Sequence, residues 1–309
     1  MKNKNILVVL GGTSAERKVS LDSGRACIKA LKKTGYKVSI FDPQKKNFNL
    51  INKNKTDVIF NSLHGRDGED GVAQSYFEYL RIPYTHSGVI SSFNAMNKVI
   101  SKEIFKKYNI LSPKYFVLNK TDFNKDRLKK IIKQNKIKYP IVVKPINEGS
   151  SIGVNISKNL SALCKTSKLL FNKYKELIFE PYIGGQEIQV AVINGLPLGA
   201  IELKPKRQFY DYTAKYSKEA KTQHIMPANL KKSKYNQVLK IAKKAHNSLG
   251  CKGVTRSDFK FFKNKFYILE INTQPGMTSL SLVPEIAKYR GISFENLVEK
   301  ILLNASLNR

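Results

Sequence analysis

Acidic residues are scarce. The chain of 309 residues has 23 Asp and Glu against 55 Lys and Arg, a formal net charge of +32. Such an excess would suit a nucleic-acid partner. Its layout does not: the lysines run along the whole chain with abundant Asn and few Arg. Nucleic-acid readers concentrate their charge and favour Arg and aromatic platforms. A compositional bias accounts for the pattern more simply, and the field still attracts anions. Cysteine is nearly absent. Cys27, Cys164 and Cys251 are odd in number and far apart, which excludes a disulfide framework and a cysteine metal site and fits a reducing cytoplasm. The four histidines, His64, His86, His224 and His246, show no ligand spacing. No apolar run reaches the ~18 residues of a membrane-spanning helix. The first run, 6–10, ends in Gly11-Gly12 and reads as a buried strand rather than a signal peptide. GxGxxG and P-loop spacings, internal repeats and low-complexity linkers are also missing.

What is present is a chain too long for one ordinary core, so two or three domains are expected. The most informative stretch is 253–281. Segments 253–259 and 266–272 both alternate apolar and polar residues, the period of a strand, and the four-residue break 262–265 is short enough for a hairpin. With the loop centred on Asn264, Asp258 faces Glu270 and Arg256 faces Asn272. Residues two apart share a face of a strand. One face then holds Arg256, Asp258, Glu270 and Asn272. Two carboxylates and an amide oxygen are hard ligands, and together form a magnesium site of the kind that also holds nucleotide phosphates. A surface hairpin with cross-strand charge pairs is the alternative. It gives no reason for two acids to face each other.

The other segments supply a frame. Strands at 6–10, 38–41 and 58–61, with a helix after Gly11-Gly12, predict the opening of a doubly wound sheet that binds ligands beyond its strand ends. The loop 63–71 places three glycines among charged residues, as either a binding loop or a plain turn. A helix near 97–108 and strands near 114–118 and 139–144 follow, with a Lys-rich solvated helix at 125–138. Lys144 ends an apolar strand and precedes Glu148-Gly149-Ser150-Ser151-Ile152-Gly153. Free N–H groups and hydroxyls there can cradle phosphates, with Lys144 as a point charge; Gly-Ser loops also simply turn chains. A strand at 177–183, a hairpin about Asn194-Gly195, an irregular lid-like stretch at 206–224 and helices near 231–249, 283–289 and 294–303 complete the chain.

Taken together, the stretches 11–20 (GGTSAERKVS), 64–71 (HGRDGEDG), 143–153 (VKPINEGSSIG), 180–183, 215–216 and 272–284 (NTQPGMTSLSLVP) resemble the D-alanine–D-alanine ligases of the ATP-grasp superfamily. They run in family order from end to end. The resemblance implies an α/β chain with an ATP-grasp fold after a Rossmann-like preATP-grasp domain: 1–96, then a central subdomain, 97–185, and a C-terminal subdomain, 186–309. It implies a cytoplasmic homodimer, needing neither nucleic acid nor membrane, that joins two D-alanines at the expense of ATP through an acyl phosphate. Asp258, Glu270 and Asn272 would hold two Mg²⁺ ions, for which Mn²⁺ could substitute. Lys98, Lys144 and Ser151 would contact phosphates. Glu180 with the backbone of Tyr182 and Ile183 would bind adenine, and Glu187 the ribose. Glu16 would hold the first ammonium group, linked through Ser150 to Tyr216 in the lid. Arg256 and the Gly276 N–H would form the oxyanion hole. Ser281, with Lys215, would anchor the second carboxylate, and His64 and Leu282 complete the substrate contacts. Asn97, Gln274 and Ser257 depart from common family residues without removing a chemical group. An acceptor other than D-alanine, such as D-lactate or D-serine, and a non-catalytic anion- or nucleic-acid-binding protein are the competing readings; the acids argue against the second.

Overall fold

The structure, a computed structural model, describes residues 4–204, 222–278 and 280–308. It opens on a parallel sheet of β1 (Asn5–Val9), β2 (Lys37–Phe41) and β3 (Val58–Asn61), in the order β2-β1-β3. The unbroken apolar run of β1 is buried from Ile6 on, as expected for a strand covered on both faces. The turn into α1 (Arg17–Lys33) needs glycine: Gly11 has φ 85°, and a Cβ there would lie 2.5 Å from Asp42 Oδ1. Arg17 reaches back to both Asp42 oxygens, at 3.0 and 2.7 Å. The strand, turn and helix thus leave Glu16 at the carboxyl end of the sheet, where such folds bind ligands. Next come α2 (Val72–Leu80), α3 (Val89–Met96) and α4 (Lys98–Lys107). Helix α2 escapes a reading by apolar period because Val72, Tyr76 and Tyr79 are exposed while Ala73 and Phe77 are buried, so apolar residues ring it.

A second sheet holds β4 (Phe116–Asn119), β5 (Ile141–Pro145), β6 (Asn155–Ser157) and β7 (Glu176–Pro181) in the order β4-β7-β5-β6. Helices α5 (Lys125–Gln134) and α6 (Leu160–Phe171) share a core with Ile141, Val143, Leu177 and Phe179. Alternation along β5 and β7 sends Lys144 and Glu180 to the opposite face.

The third sheet contains β8 (Gln186–Ile193), β9 (Leu196–Lys204), β10 (Gln223–Ile225), β11 (Val254–Phe262) and β12 (Lys265–Asn272), ordered β10-β9-β8-β11-β12. The end of the expected irregular stretch is therefore strand β10. On one face Ile188, Val190, Val192 and Phe259 pack with α7 (Lys232–Ser248). On the other, Ala191, Ile193, Ile201 and Val254 share a core with β1, α1, α8 (Leu282–Tyr289) and α9 (Phe294–Leu303). The last two helices thus fasten the third sheet to the first.

The hairpin register is as expected at the site, and its cause is different. Asp258 pairs with Glu270 and Arg256 with Asn272. The loop is the two-residue turn Lys263-Asn264, both at positive φ (46° and 63°), the form that matches strand twist. Phe262 therefore pairs with Lys265, a register that carried on would set Asp258 against Leu269. A bulge at the Asp258–Phe259 step leaves Leu269 over and moves Glu270 into place.

Two consequences can be measured. Gly185, between β7 and β8, has φ 84°, and a Cβ would meet the Phe261 carbonyl oxygen at 2.2 Å. Gly185→Ala should cost at least about 2 kcal/mol in urea unfolding; a loss below a few tenths would contradict this contact. Burial holds His64 and His246 neutral, with pKa lowered to about 4, helped by Arg256 and Lys252 respectively. The unfolded chain takes up these protons below pH ~6.5. Their contribution is thus present above that pH and lost as pH falls toward 4, at most about 3 kcal/mol each. His246→Gln should flatten the acid limb of stability between pH 6.5 and 4; an unchanged slope would contradict it.

Candidate active site

The second and third sheets bound a cleft lined by Lys144, Glu180, Tyr182 and Ile183 from one side and Glu187, Asp258, Lys260 and Glu270 from the other. The strand register sets Arg256, Asp258, Glu270 and Asn272 on one face; Asp258 and Glu270 line this cleft, and Arg256, Glu270 and Asn272 line the hollow beside it with Ser150 and Glu69. Arg256 forks onto Asp258, with Nε 2.8 Å from Oδ1 and Nη2 3.0 Å from Oδ2. Lys98, in the first turn of α4, reaches over from the other side: its Nζ lies 3.6 Å from Glu270 Oε2 and donates to the Glu148 carbonyl. Asn97 is the cap that starts this helix, its Oδ1 accepting from the N–H of Val99 at 3.0 Å and Ile100 at 3.1 Å. An amide thus does the capping work of an acid.

Among the described residues no three His, Cys, Asp or Glu side chains cluster as a metal site. The set here is two carboxylates and an amide oxygen. It fits magnesium, which keeps several waters and takes one or two protein carboxylates beside phosphates.

One wall is a buried ion triad. Glu180 is 2% exposed and lies between Lys102, 2.9 Å from Oε1, and Lys144, 2.9 Å from Oε2. Burial alone would raise its pKa, but the two ammonium groups hold it below the usual carboxylate range. Nearby, the Tyr182 N–H donates to the Pro140 carbonyl at 2.8 Å. Of the expected backbone pair, this leaves the Ile183 N–H as donor. Glu187 accepts from Lys260 at 2.9 Å.

The loop after β5 closes the far end. Ser150 and Ser151 both take left-handed φ, 47° and 61°, strain of a kind kept at functional sites. Ser150 Oγ donates to Glu16 Oε1, so this loop meets the first sheet. Glu69, which the sequence reading passes over within the 64–71 loop, stands beside Glu16. It accepts from the Gly65 N–H at 3.0 Å through Oε1. A Cβ on Gly149 would lie 2.9 Å from Glu16 Oε2 and 3.6 Å from Glu69 Oε1. Burial, and then Glu16, push the Glu69 carboxyl well above the usual range. The glycines around it carry the signal that could have drawn attention to it: they make room for two carboxylates.

Gly276 and Ser281 adjoin, since a Cβ at Gly276 would lie 2.9 Å from Ser281 Oγ. That hydroxyl contacts the N–H and Oγ1 of Thr278, each at 2.9 Å. Gln274 ties this segment to the first sheet, bonding Asn61 at 2.9 Å and the Leu63 carbonyl. His64 is buried near Arg256. The Leu282 side chain lies in the shared core with Val283 and Ile286, which leaves its backbone for a substrate. Nothing in the structure explains the hydroxyl of buried Ser257, which has no partner among the described residues. Lys215 and Tyr216 lie outside the described residues.

The comparisons agree with this geometry. A family model described as D-ala D-ala ligase C-terminus matches residues 104–303. A D-alanine–D-alanine ligase of Pelagibacter ubique is 56% identical over 306 residues, covering 99% of both chains. The crystal structure of a D-alanine–D-alanine ligase from Bacillus anthracis complexed with ATP superposes with a TM-score of 0.84 at 31% identity, covering 97% of each chain. That of VanG, a D-Ala:D-Ser ligase from Enterococcus faecalis, gives 0.83 at 27% identity, covering 97% of this chain and 98% of that one. With the strand register, the cleft and these matches in agreement, the chain belongs to the D-alanine–D-alanine ligase family and has its ATP-grasp fold.

Proposed function

We propose that the protein uses ATP to join two D-alanines into D-alanyl-D-alanine, a peptidoglycan precursor, through an acyl phosphate. The observation that carries this reading is the pairing of Asp258 with Glu270 on the cleft floor, with Lys98 and Lys144 on the opposite side. Attack of a carboxylate on a phosphate brings two anions together, so their charge must be neutralised. Lys98, Lys144 and the Ser150-Ser151 loop would bind phosphate oxygens. Two Mg²⁺ ions held by Asp258, Glu270 and Asn272 would supply further neutralisation of the phosphates. Glu180 and the Ile183 N–H meet adenine, and Glu187 the ribose hydroxyls. Glu16 holds the ammonium of the first D-alanine and Ser150 fixes the orientation of Glu16. Arg256 and the Gly276 N–H stabilise the oxyanion formed when the second amine attacks. Ser281, the Leu282 backbone and Lys215 receive the second carboxylate, and His64 packs the first substrate. Tyr216 suits an amine acceptor.

The reaction belongs in the cytoplasm with its ATP supply. Among the described residues no helix is long and apolar enough to cross a membrane. A homodimer is supported by Tyr76, Tyr79, Ile90 and Phe93, large apolar side chains exposed on α2 and α3, two helices that pack together, since exposed apolar surface favours association. Sedimentation should give about twice the 35.1 kDa chain mass; a monomer at micromolar concentration would contradict the dimer.

Phosphate release from ATP and Mg²⁺ should depend on D-alanine and exceed that with D-lactate or D-serine. Release no greater than with ATP alone would overturn the reading. Asp258→Ala and Glu270→Ala should each lower kcat by at least about a thousandfold, whereas Tyr216→Phe should weaken turnover without abolishing it. Near-normal rates in either alanine variant would contradict the metal assignment.

A further inference from the structure

Lys102 has no place in the chemistry above, yet it is the more deeply buried of the two cations on Glu180. It is 1% exposed, one turn after Lys98 in α4. Its ammonium lies 2.9 Å from Glu180 Oε1, donates to the Pro113 carbonyl at 3.2 Å, and stands 5.8 Å from the Tyr115 ring centroid. Lys144 takes the other oxygen of Glu180 and lines the cleft, whereas Lys102 does not reach the cleft surface.

That difference matters when a nucleotide arrives. Lys144 is the cation a triphosphate attracts, and any share it gives to phosphate is withdrawn from Glu180. A buried carboxylate that loses its partner costs several kcal/mol, or takes up a proton instead. Lys102 is walled off from the phosphates and cannot be drawn away. The protonation state of Glu180 also decides which base it recognises. An ionised carboxylate only accepts hydrogen bonds. It can therefore accept from the 6-amino group of adenine, and it repels the lone pairs of a 6-oxo purine. A protonated Glu180 could donate to that 6-oxo group, and the discrimination would fall.

We propose that Lys102 is a positioning residue for base specificity: it keeps Glu180 an ionised acceptor while Lys144 is engaged by phosphate, and so selects 6-amino over 6-oxo purine nucleotides. This rests on the reading that Glu180 meets the base. The low pKa of Glu180 in the free protein agrees with it.

The test compares ATP with ITP, whose base has a 6-oxo group in place of the 6-amino group and an N1–H in place of a bare N1. Dissociation constants without D-alanine, and kcat/KM with it, are measured for the wild type, Glu180→Gln, Lys102→Met and the double variant. Lys102→Met should reduce the ATP preference at least tenfold, mainly through weaker ATP binding, and leave the KM for D-alanine unchanged. Glu180→Gln should reduce it too, and adding Lys102→Met to Glu180→Gln should change it little further. If Glu180→Gln lowers the preference and Lys102→Met does not, Lys102 is only a structural partner and the inference fails. If Glu180→Gln itself leaves the preference intact, the adenine reading fails and the inference with it. Should Lys102→Met not fold, Lys102→Gln, which keeps a donor without the charge, carries the same expectations.

Discussion

Two acids that repel each other, Asp258 and Glu270, face one another across the β11–β12 hairpin. Like charges directly opposite on paired strands are destabilising, so this arrangement persists only because cations are brought to it. Arg256 forks onto Asp258, and Lys98 approaches Glu270. The rest of the fold can be understood from where those cations and their ligands must come. Lys98 depends on the start of α4, which Asn97 caps. Lys144 depends on the alternation of β5. Glu16 depends on the Gly11-Gly12 turn, and joins the site through Ser150.

The three sheets must therefore be held in fixed relation, and the molecule uses different means for each joint. Helices α8 and α9 bury one face of the third sheet against α1 in a single apolar core. Buried polar contacts do the finer alignment: Gln274 bonds Asn61 and Leu63, and Met277 N–H donates to Ser23. Such bonds are costly to leave unmade in a buried place, which makes them good determinants of register between sheets. The cleft between the second and third sheets is instead lined with charge of both signs, Lys98, Lys144 and Lys260 among Glu148, Glu180, Glu187, Asp258 and Glu270, so an anionic ligand would need divalent cations to enter with it.

Much of this was legible in the residues. Period-two alternation in 253–259 and 266–272 located the hairpin, and glycine clusters marked the loops at 11–12, 64–71 and 149–153. The correct pairing at Asp258 came with an incorrect loop, because a bulge leaves no mark in an alternation pattern until the partner strand is known. Glu69 and Lys102 were passed over for a related reason. Each matters through a partner distant in sequence, Glu16 in one case and Glu180 in the other. Leu282 sits in a recognisable motif, and that its side chain serves the core could not be read from the motif alone. Strand β10 was absorbed into a supposed loop because three residues are too few to show a period.

The central claim is that the bulged hairpin creates a divalent-cation site by setting Asp258, Glu270 and Asn272 on one face. Anomalous diffraction from crystals grown with Mn²⁺ and a non-hydrolysable ATP analogue tests it most directly. The account predicts manganese peaks within bonding distance, about 2.2 Å, of oxygens from Asp258, Glu270 and Asn272. Manganese bound only by phosphate, or at acids elsewhere in the chain, would contradict it.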